Sequence, residues 1–460
     1  MATTKLTRFN NALRLAAKAS QDATLPKKWP VRVVRDVYGR VRFAIDCDAS
    51  QYPLAARQWL EGALIKLGVY ATKGEIIFRD ELSNPDIIFR SSDWHLTTVP
   101  GGFDDQDQVE PDLAVLVLDR QIMGQDWLNP VTESAPHPHR IVFYGLKGGV
   151  GRSTALAMVA YGLAREGKRV LLLDFDLESP GLSGLLLPTD RVAEFGLVDW
   201  FVEDAVGQGD SVLRNMVSSS PLADTTTGEI RVASAMGQSE PAYLSKLARV
   251  YADVPGREGR QGLQRFATRM QYVVQLLEAQ EKPDVVLIDS RAGLHDVAAI
   301  SITSLADTAL LFATDGAQNW LGYEQLFTHW QHRPSVCAQV RERLAIVQAL
   351  APKSDREGRS KAFLNHAYEL FSSTLYDEIP PPAIAPAQLT MQSMSDLYNP
   401  AMEDEAAPHY PIRVDWDEVF QEFDPKVRPE QGGVSDAEIE AKFGSLISWV
   451  KTRLSGVENE

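Results

Sequence analysis

Cysteine is scarce in this chain of 460 residues. Cys47 and Cys337 are the only two, they lie far apart, and neither belongs to a Cys-x-x-Cys pair. A disulfide framework, a cysteine-ligated zinc site and an iron–sulfur cluster therefore have no support in the sequence. This cysteine usage fits a reducing cytoplasm, which is the location we expect.

Long apolar runs and an excess of positive charge are also missing. No stretch approaches the roughly 18 uninterrupted apolar residues of a membrane-spanning helix, and the charged segment 1–28 lacks the apolar centre of a signal peptide. The net charge of −16 argues against a broad basic surface for nucleic acid. We therefore expect no membrane span and no extended nucleic-acid interface.

The length and the patterning predict two α/β regions, a small N-terminal domain at 1–135 and a larger domain at 136–460. In the first region the pattern indicates helices at 6–18 and 54–67, a hairpin formed by 31–37 and 40–45, and short strands at 75–78, 86–89 and 113–118. A loop is expected at 101–112, and proline, serine and histidine cluster near the boundary, at 132–139.

Strands and helices alternate in the second region, which predicts a mainly parallel, doubly wound sheet with helices on both faces. Several strand candidates are nearly continuous apolar runs, as in strands covered on both sides. Segment 353–361 reads as a loop, the proline-rich segment 379–386 is neither regular helix nor central strand, and a helix is expected at 436–454. The strand candidates are 140–144, 169–173, 230–233, 285–288, 308–312 and 344–350.

Residues 147–154 read Lys-Gly-Gly-Val-Gly-Arg-Ser-Thr and lie between an apolar strand-like run and a helix pattern that starts near Arg152. The three glycines permit backbone conformations that a Cβ forbids, and so let N–H groups approach a polyphosphate. The helix N-terminus adds positive potential, and Ser153 supplies the hydroxyl expected on a magnesium ion. The predicted phosphate-binding residues are Lys147, Gly148, Gly149, Val150, Gly151, Arg152, Ser153 and Thr154.

Two further strands end in carboxylates. Asp174 and Asp176 follow the strand candidate at 169–173, and Asp289 ends the apolar run that begins at 285. Carboxylates at the carboxyl ends of parallel strands point into the crevice where doubly wound sheets bind their ligands. The order of loop, Asp-x-Asp and second acidic strand favours a nucleotide site over isolated helix caps.

The loop resembles the deviant P-loop of the ParA/MinD ATPases, in which an extra lysine opens the loop. The resemblance covers about 140–350, and it implies ATP and Mg²⁺ as cofactors. Carried over by position, it makes Asp174 and Asp289 magnesium-linked residues together with Ser153. It also makes Asp176 the residue that positions the attacking water, and Lys147 a bridge to the nucleotide of a second copy in an ATP-dependent homodimer.

This chain departs from that pattern at several positions. Leu146 stands where a standard P-loop has its first glycine, and Arg152 replaces the usual lysine, whose compact ammonium differs from a planar guanidinium. Arg291 stands where relatives often have proline, and either a phosphate or partner contact or a solvent-facing side chain is compatible with the sequence. The resemblance places the adenine contacts after the strand candidate at 344–350, where this chain has Gln348, Ala349 and Pro352 and lacks the usual asparagine.

Three functions stay open at this stage. The first is a slow ATPase that acts as a dimerisation switch, with Lys147, Arg152 and Asp176 as catalytic residues. The second is a nucleotide-gated interaction module whose hydrolysis is vestigial. The third is a regulatory or defence-system component whose N-terminal domain recruits an unknown protein partner. The C-terminal helix is apolar on one side but is followed by acidic residues, so we expect it to pack on the body and not to anchor a membrane.

Overall fold

The computed structural model describes residues 7–71, 76–91, 93–101, 110–130, 135–238, 242–257, 260–379, 397–420, 423–424, 427 and 433–457. The chain forms two compact units. The first comprises Met1–Gln125 with His332–Pro334, and the second comprises Asp126–Gln331 with Ser335–Glu460. The sequence-based boundary at 135/136 stays a prediction.

The helices in the described residues are α1 (Phe9–Ser20), α2 (Leu54–Leu67), α3 (Asp86–Phe89), α4 (Arg152–Ala164), α5 (Leu182–Leu186), α6 (Leu197–Val206), α7 (Gly209–Leu213), α8 (Tyr243–Val250), α9 (Phe266–Glu281), α10 (Asp296–Ile300), α11 (Ala317–Gln331), α12 (Pro334–Arg341), α13 (Arg356–Thr374) and α14 (Asp436–Val457). The strands are β1 (Arg32–Arg35), β2 (Val41–Ile45), β3 (Ile77–Phe78), β4 (Trp94–Val99), β5 (Leu113–Asp119), β6 (His139–Gly145), β7 (Arg169–Asp174), β8 (Val217–Ser219), β9 (Glu229–Ala233), β10 (Val254–Arg257), β11 (Arg260–Gln264), β12 (Val285–Asp289), β13 (Thr308–Ala313), β14 (Leu344–Ala351) and β15 (Ile412–Asp415).

The first unit is built on a five-stranded mixed sheet with the order β3-β2-β1-β5-β4. The predicted hairpin is confirmed, because β1 and β2 pair antiparallel. Apolar residues of α1 and α2 pack with the inward side chains of β1, β2 and β5 in one core. The unit therefore has a hydrophobic core of its own.

The second unit is built on an eight-stranded sheet with the order β15-β14-β13-β6-β12-β7-β9-β8. All neighbouring pairs are parallel except β8 and β9. Successive residues of β6 enter two different cores: Val142 and Tyr144 join one, and Ile141 and Phe143 join the other. Helices therefore cover both faces of the sheet, as the apolar strand runs predict.

The C-terminal helix belongs to one of these faces. Apolar side chains of α14, including Leu446 and Val450, are buried in the core that also contains α4. Gly162 of α4 allows this packing, because a Cβ there would lie 2.7 Å from Ile447. The expectation that this helix packs on the body is therefore confirmed. No described helix is long and apolar enough to span a membrane.

Two secondary-structure predictions are wrong. Residues 86–89 form a helix and not a strand, because Pro85 and Asp86 supply the fixed φ angle and the negative charge that favour a helix start. The predicted loop at 353–361 is helical from Arg356 onward, because the first turns of α13 are charged and exposed and need no apolar face. Strands β4, β8, β10, β11 and β15 were not predicted. The expected loop at 101–112 and the proline-rich stretch lie mostly outside the described residues.

Candidate nucleotide-binding site

The glycine-rich loop connects β6 to α4, and α4 begins at Arg152 as predicted. Gly149 and Gly151 adopt φ angles of +75° and +77°, in the left-handed region that disfavours side chains. Val150 between them is buried against the apolar core, which fixes the loop from inside. A Cβ on Gly148 would meet no atom within 4 Å, so the loop is open on that side.

The loop thus has the form of an anion cradle. The first N–H groups of an α-helix have no intrahelical acceptor, and at the start of α4 they lie next to the glycines. Together with the helix dipole, these amides attract negative charge. The loop geometry fits a phosphate group.

Strand order brings the acidic residues to this loop. β12 lies between β6 and β7, and Asp289 pairs in register with Asp174 on one side and Phe143 on the other. Asp289 and Asp174 therefore end neighbouring strands at the same edge of the sheet. Asp176 lies two residues beyond the end of β7.

Arg152 joins two of these carboxylates. Its Nε donates to Asp289 Oδ1 at 3.0 Å, and its Nη2 donates to Asp176 Oδ2 at 2.9 Å. The arginine side chain is 7% exposed and Asp289 is 1% exposed, so the bridge is buried. The third nitrogen, Nη1, is also buried and has no hydrogen-bond partner among the residues that the structure describes.

Sequence reasoning treated Arg152 only as a cation for phosphate, and it missed this bridge. The available signal was the guanidinium itself, whose fork of donors is able to serve two carboxylates at once, whereas the usual lysine presents a single ammonium.

Ser153 and Asp289 are in direct contact, because the serine hydroxyl donates to Asp289 Oδ2. A hydroxyl and a carboxylate are oxygen donors of the kind that Mg²⁺ prefers. No cluster of three or more His, Cys, Asp or Glu suited to a metal occurs in the described part of the chain. Ser153 and Asp289 would therefore suit a magnesium ion as ligands.

Asp174 has different contacts. Its Oδ1 accepts the N–H of Asp176 at 3.2 Å, and its Oδ2 accepts the N–H groups of Gly181 and Leu182 at 3.2 and 3.1 Å. The carboxylate therefore orders the loop that carries Asp176 and caps the start of α5. Its role as a magnesium-linked residue stays a prediction.

Burial governs the charges of these acids. It raises the pKa of Asp174 well above the ordinary value, and Asp289 nearby raises it further. Burial also raises the pKa of Asp289 and of Asp176, and in both cases Arg152 acts in the opposite direction. The guanidinium thus favours the ionised forms of two carboxyls that the site would otherwise tend to protonate.

Lys147 lies at the loop entrance and is exposed. Its ammonium donates to the side-chain carbonyl of Gln318, in the first turn of α11. Thr154 lies in the first turn of α4 and is half-buried. The predicted contacts of these two residues with nucleotide stay predictions.

The segment after β12 is hydrogen-bonded to the end of β6, directly before the glycine-rich loop. The N–H of Gly293 donates to the carbonyl of Gly145 at 3.1 Å, and the Tyr144 hydroxyl donates to the Gly293 carbonyl at 3.2 Å. Gly293 has a φ of +82°. Arg291, whose role the sequence left open, forms an ion pair with Glu178.

The residues considered for adenine contacts lie at the end of β14. Gln348 is buried and accepts a long hydrogen bond of 3.5 Å from Arg413, which also donates to the Pro352 carbonyl at 2.9 Å. Ala349 is buried in the apolar core. These contacts leave the recognition of the base a prediction.

Residues 139–333, less than half of the chain, match the family model described as an AAA domain. No curated protein matches the chain in sequence.

Solved structures similar to the chain have low identities. A ParA family ATPase from Chlorobium tepidum TLS is 15% identical with a TM-score of 0.39, covering 68% of this chain and 98% of that chain. The pNOB8 ParA bound to nonspecific DNA is 17% identical with a TM-score of 0.37, covering 70% and 99%. A cobyrinic acid a,c-diamide synthase from Mycobacterium smegmatis with bound ATP analog and magnesium is 16% identical with a TM-score of 0.35, covering 53% and 86%.

The segment that matches the family model contains the site described above. The matched segment begins at the first residue of β6 and includes the glycine-rich loop and all three aspartates of the site. Residues 139–333 are therefore the part of the chain that is similar to the family described as an AAA domain.

Proposed function

We propose that the chain binds ATP with Mg²⁺, hydrolyses it slowly, and uses ATP binding to drive formation of a homodimer. One observation carries this proposal. A loop with two left-handed glycines leads into α4, and the first hydroxyl of that helix contacts the carboxylate of Asp289. This arrangement places an anion cradle directly beside oxygen donors for a divalent cation.

Each part of the site has a definite task in this proposal. The loop amides and the N-terminus of α4 bind the phosphates, and Ser153 and Asp289 hold the magnesium ion. When bound, magnesium neutralises charge that develops on the phosphate oxygens. Asp176 accepts a hydrogen bond from the hydrolytic water and orients it. Asp174 keeps the backbone of that loop in place.

Slow turnover follows from the contacts of Arg152. Its guanidinium occupies one oxygen of Asp176 and one of Asp289, the two acids assigned to the water and the metal. These hydrogen bonds compete with the tasks of both acids. We expect turnover at or below the low end of the general range of about 1–10³ s⁻¹.

Binding is tested by isothermal titration of the parent with a non-hydrolysable ATP analogue. Saturable binding is expected, and Ser153→Ala should weaken it in a magnesium-dependent way. Thr452→Ala is the matched control, because it removes an exposed hydroxyl from α14, outside the site. No heat at millimolar analogue would contradict the proposal.

A second candidate, a nucleotide-gated module without useful turnover, is favoured by the buried Arg152 bridge. Steady-state phosphate release separates the two candidates. Asp176→Ala should retain analogue binding and abolish hydrolysis, while Asp289→Ala should impair both. If the parent binds ATP and releases no phosphate, the second candidate holds.

The dimer is inferred from Lys147, an exposed cation at the loop entrance, because Arg152 already supplies a cation within the site. Two chains of net charge −16 repel each other, so assembly should be weak and salt-dependent. Sedimentation of Asp176→Ala with ATP should show a dimer that Lys147→Ala loses. A monomer under every nucleotide condition would refute the switch.

The N-terminal region is assigned to recruitment of a protein partner, as a regulatory or defence-system component would require, and the proposed location is the cytoplasm. A pull-down with the full chain, compared with and without ATP, tests the recruitment. Equal capture of the partner with and without ATP would show that recruitment does not depend on the ATP-driven switch.

A further inference from the structure

A second polar cluster lies next to the aspartates of the site. Glu178 follows Asp176 by two residues, and Arg291 follows Asp289 by two residues. Glu178 Oε1 accepts both from Arg291 Nη1 and from the hydroxyl of Tyr251, which caps the end of α8. One carboxylate oxygen therefore connects the loop after β7, the loop after β12 and the end of α8.

This cluster differs from an ordinary surface ion pair. Side chains of Glu178 and Arg291 are 25% and 29% exposed, so solvent screens them only partly. Burial raises the pKa of Tyr251, and its hydrogen bond to Glu178 raises it further, so the phenol remains a donor. A charged, shared acceptor of this kind is stronger than a single exposed pair.

The loop that carries Asp176 is fixed at a second point. The Tyr243 hydroxyl donates to the carbonyl of Leu177 at 2.6 Å. Because Tyr243 begins α8 and Tyr251 follows its last residue, both ends of that helix hold this loop. Arg291 is then the connection from this assembly to the segment after β12, which contains Gly293.

We propose that Glu178 is a positioning residue: through Arg291 it ties the loop of Asp176 to the loop that follows Asp289, and so holds Asp176 in place for hydrolysis. This inference rests on the proposed ATPase function and adds a residue to its machinery. Glu178 contacts neither nucleotide nor water in this role. It acts on the reaction only through the position of Asp176.

The test compares Glu178→Gln, Arg291→Glu and the charge-swapped pair Glu178→Arg with Arg291→Glu in the full chain. Each single change should lower kcat about tenfold, a typical effect of losing a charged hydrogen bond, while the Kd of the ATP analogue stays within about twofold. The swapped pair should restore kcat to within about threefold of the parent. Hydrogen–deuterium exchange without nucleotide should rise in both 174–182 and 289–296 for the single changes.

Glu166→Gln is the matched control. Glu166 forms an ion pair of 2.6 Å with Lys451, and this pair lies outside the site. It should change neither kcat nor exchange in the two loops. A kcat that is indifferent to Glu178, a swapped pair no better than either single change, or a parent that binds ATP without releasing phosphate overturns the positioning role. A parent that does not bind the analogue instead overturns the proposed function itself, and with it the role of Glu178.

Discussion

Replacing Arg152 should lower the free energy of unfolding, because the carboxylates of Asp176 and Asp289 lose the cation that they share. Arg152→Met keeps much of the aliphatic stem but removes the charge and the donors. Asp289, which is 1% exposed in the parent, would then keep Ser153 as a hydrogen-bond donor but lose the guanidinium. Removing one partner of a buried ion pair costs about 3–5 kcal/mol, because the other charge stays buried. That is a large fraction of the roughly 5–15 kcal/mol by which domains are stable.

The loss should depend on pH, and its sign follows from the direction of the shift. Burial raises the pKa of Asp289 in the folded protein and Arg152 lowers it, so the variant should have a still higher folded pKa. An acid whose folded pKa is raised contributes no penalty below its unfolded pKa of about 3.9. The penalty grows as the pH rises from there toward the folded pKa. Arg152→Met should therefore be closer to the parent in stability at pH 5 than at pH 7.5.

Urea unfolding followed by tryptophan fluorescence measures this effect at the two pH values. Since the chain has two compact units, two transitions are expected, and the variant should shift only that of the second unit. Arg35→Met is the matched control, because Arg35 pairs with Asp119 at 2.9 Å in the first unit. Adding Asp289→Asn to Arg152→Met should recover most of the loss. Equal midpoints for parent and Arg152→Met at both pH values would refute the reasoning.

Three further predictions concern neighbouring residues of the site. Arg152→Lys should change phosphate release more than analogue affinity, because both side chains neutralise phosphate but a lysine lacks the fork that joins Asp176 and Asp289; equal turnover would argue against the bridge. Asp174→Ala should lower the free energy of unfolding by about 1–3 kcal/mol, measured in urea, because three backbone N–H groups, that of Leu182 buried, lose their acceptor. Gly151→Ala should cost about 1–2 kcal/mol at its φ of +77°, whereas Gly148→Ala, with open space around it, should cost less than about 0.5 kcal/mol.

Much of the fold follows from local patterns in the sequence. The continuous apolar runs at β6, β7 and β12 predict strands buried on both faces, and the structure places each within one or two residues of the predicted bounds. Shorter or more polar elements cannot be predicted in this way. Strand β15 has four residues and lies at the sheet edge, so it carries too little apolar pattern to be recognised.

The loop was also predictable, because its glycines and the start of α4 lie within a single stretch of sequence. What a linear pattern does not specify is which strand lies next to which. The placement of β12 between β6 and β7 brings Asp289 within reach of both Ser153 and Arg152. That neighbourhood depends on contacts between residues more than 130 positions apart.

The exchange of lysine for arginine changes more than the shape of one cation. A lysine presents one compact ammonium, whereas Arg152 uses two nitrogens for Asp289 and Asp176. Its Nη1 is buried and has no partner within the described part of the chain. A phosphate oxygen at the cradle is the natural acceptor for such a donor. The same side chain would then contact the phosphate and both acids, so a movement of Arg152 toward the nucleotide would release the acids for the metal and the water. In the proposed ATPase, nucleotide binding and the readiness of the acids would therefore be coupled through Arg152, and phosphate release by Arg152→Lys is the measurement in which that coupling should first disappear.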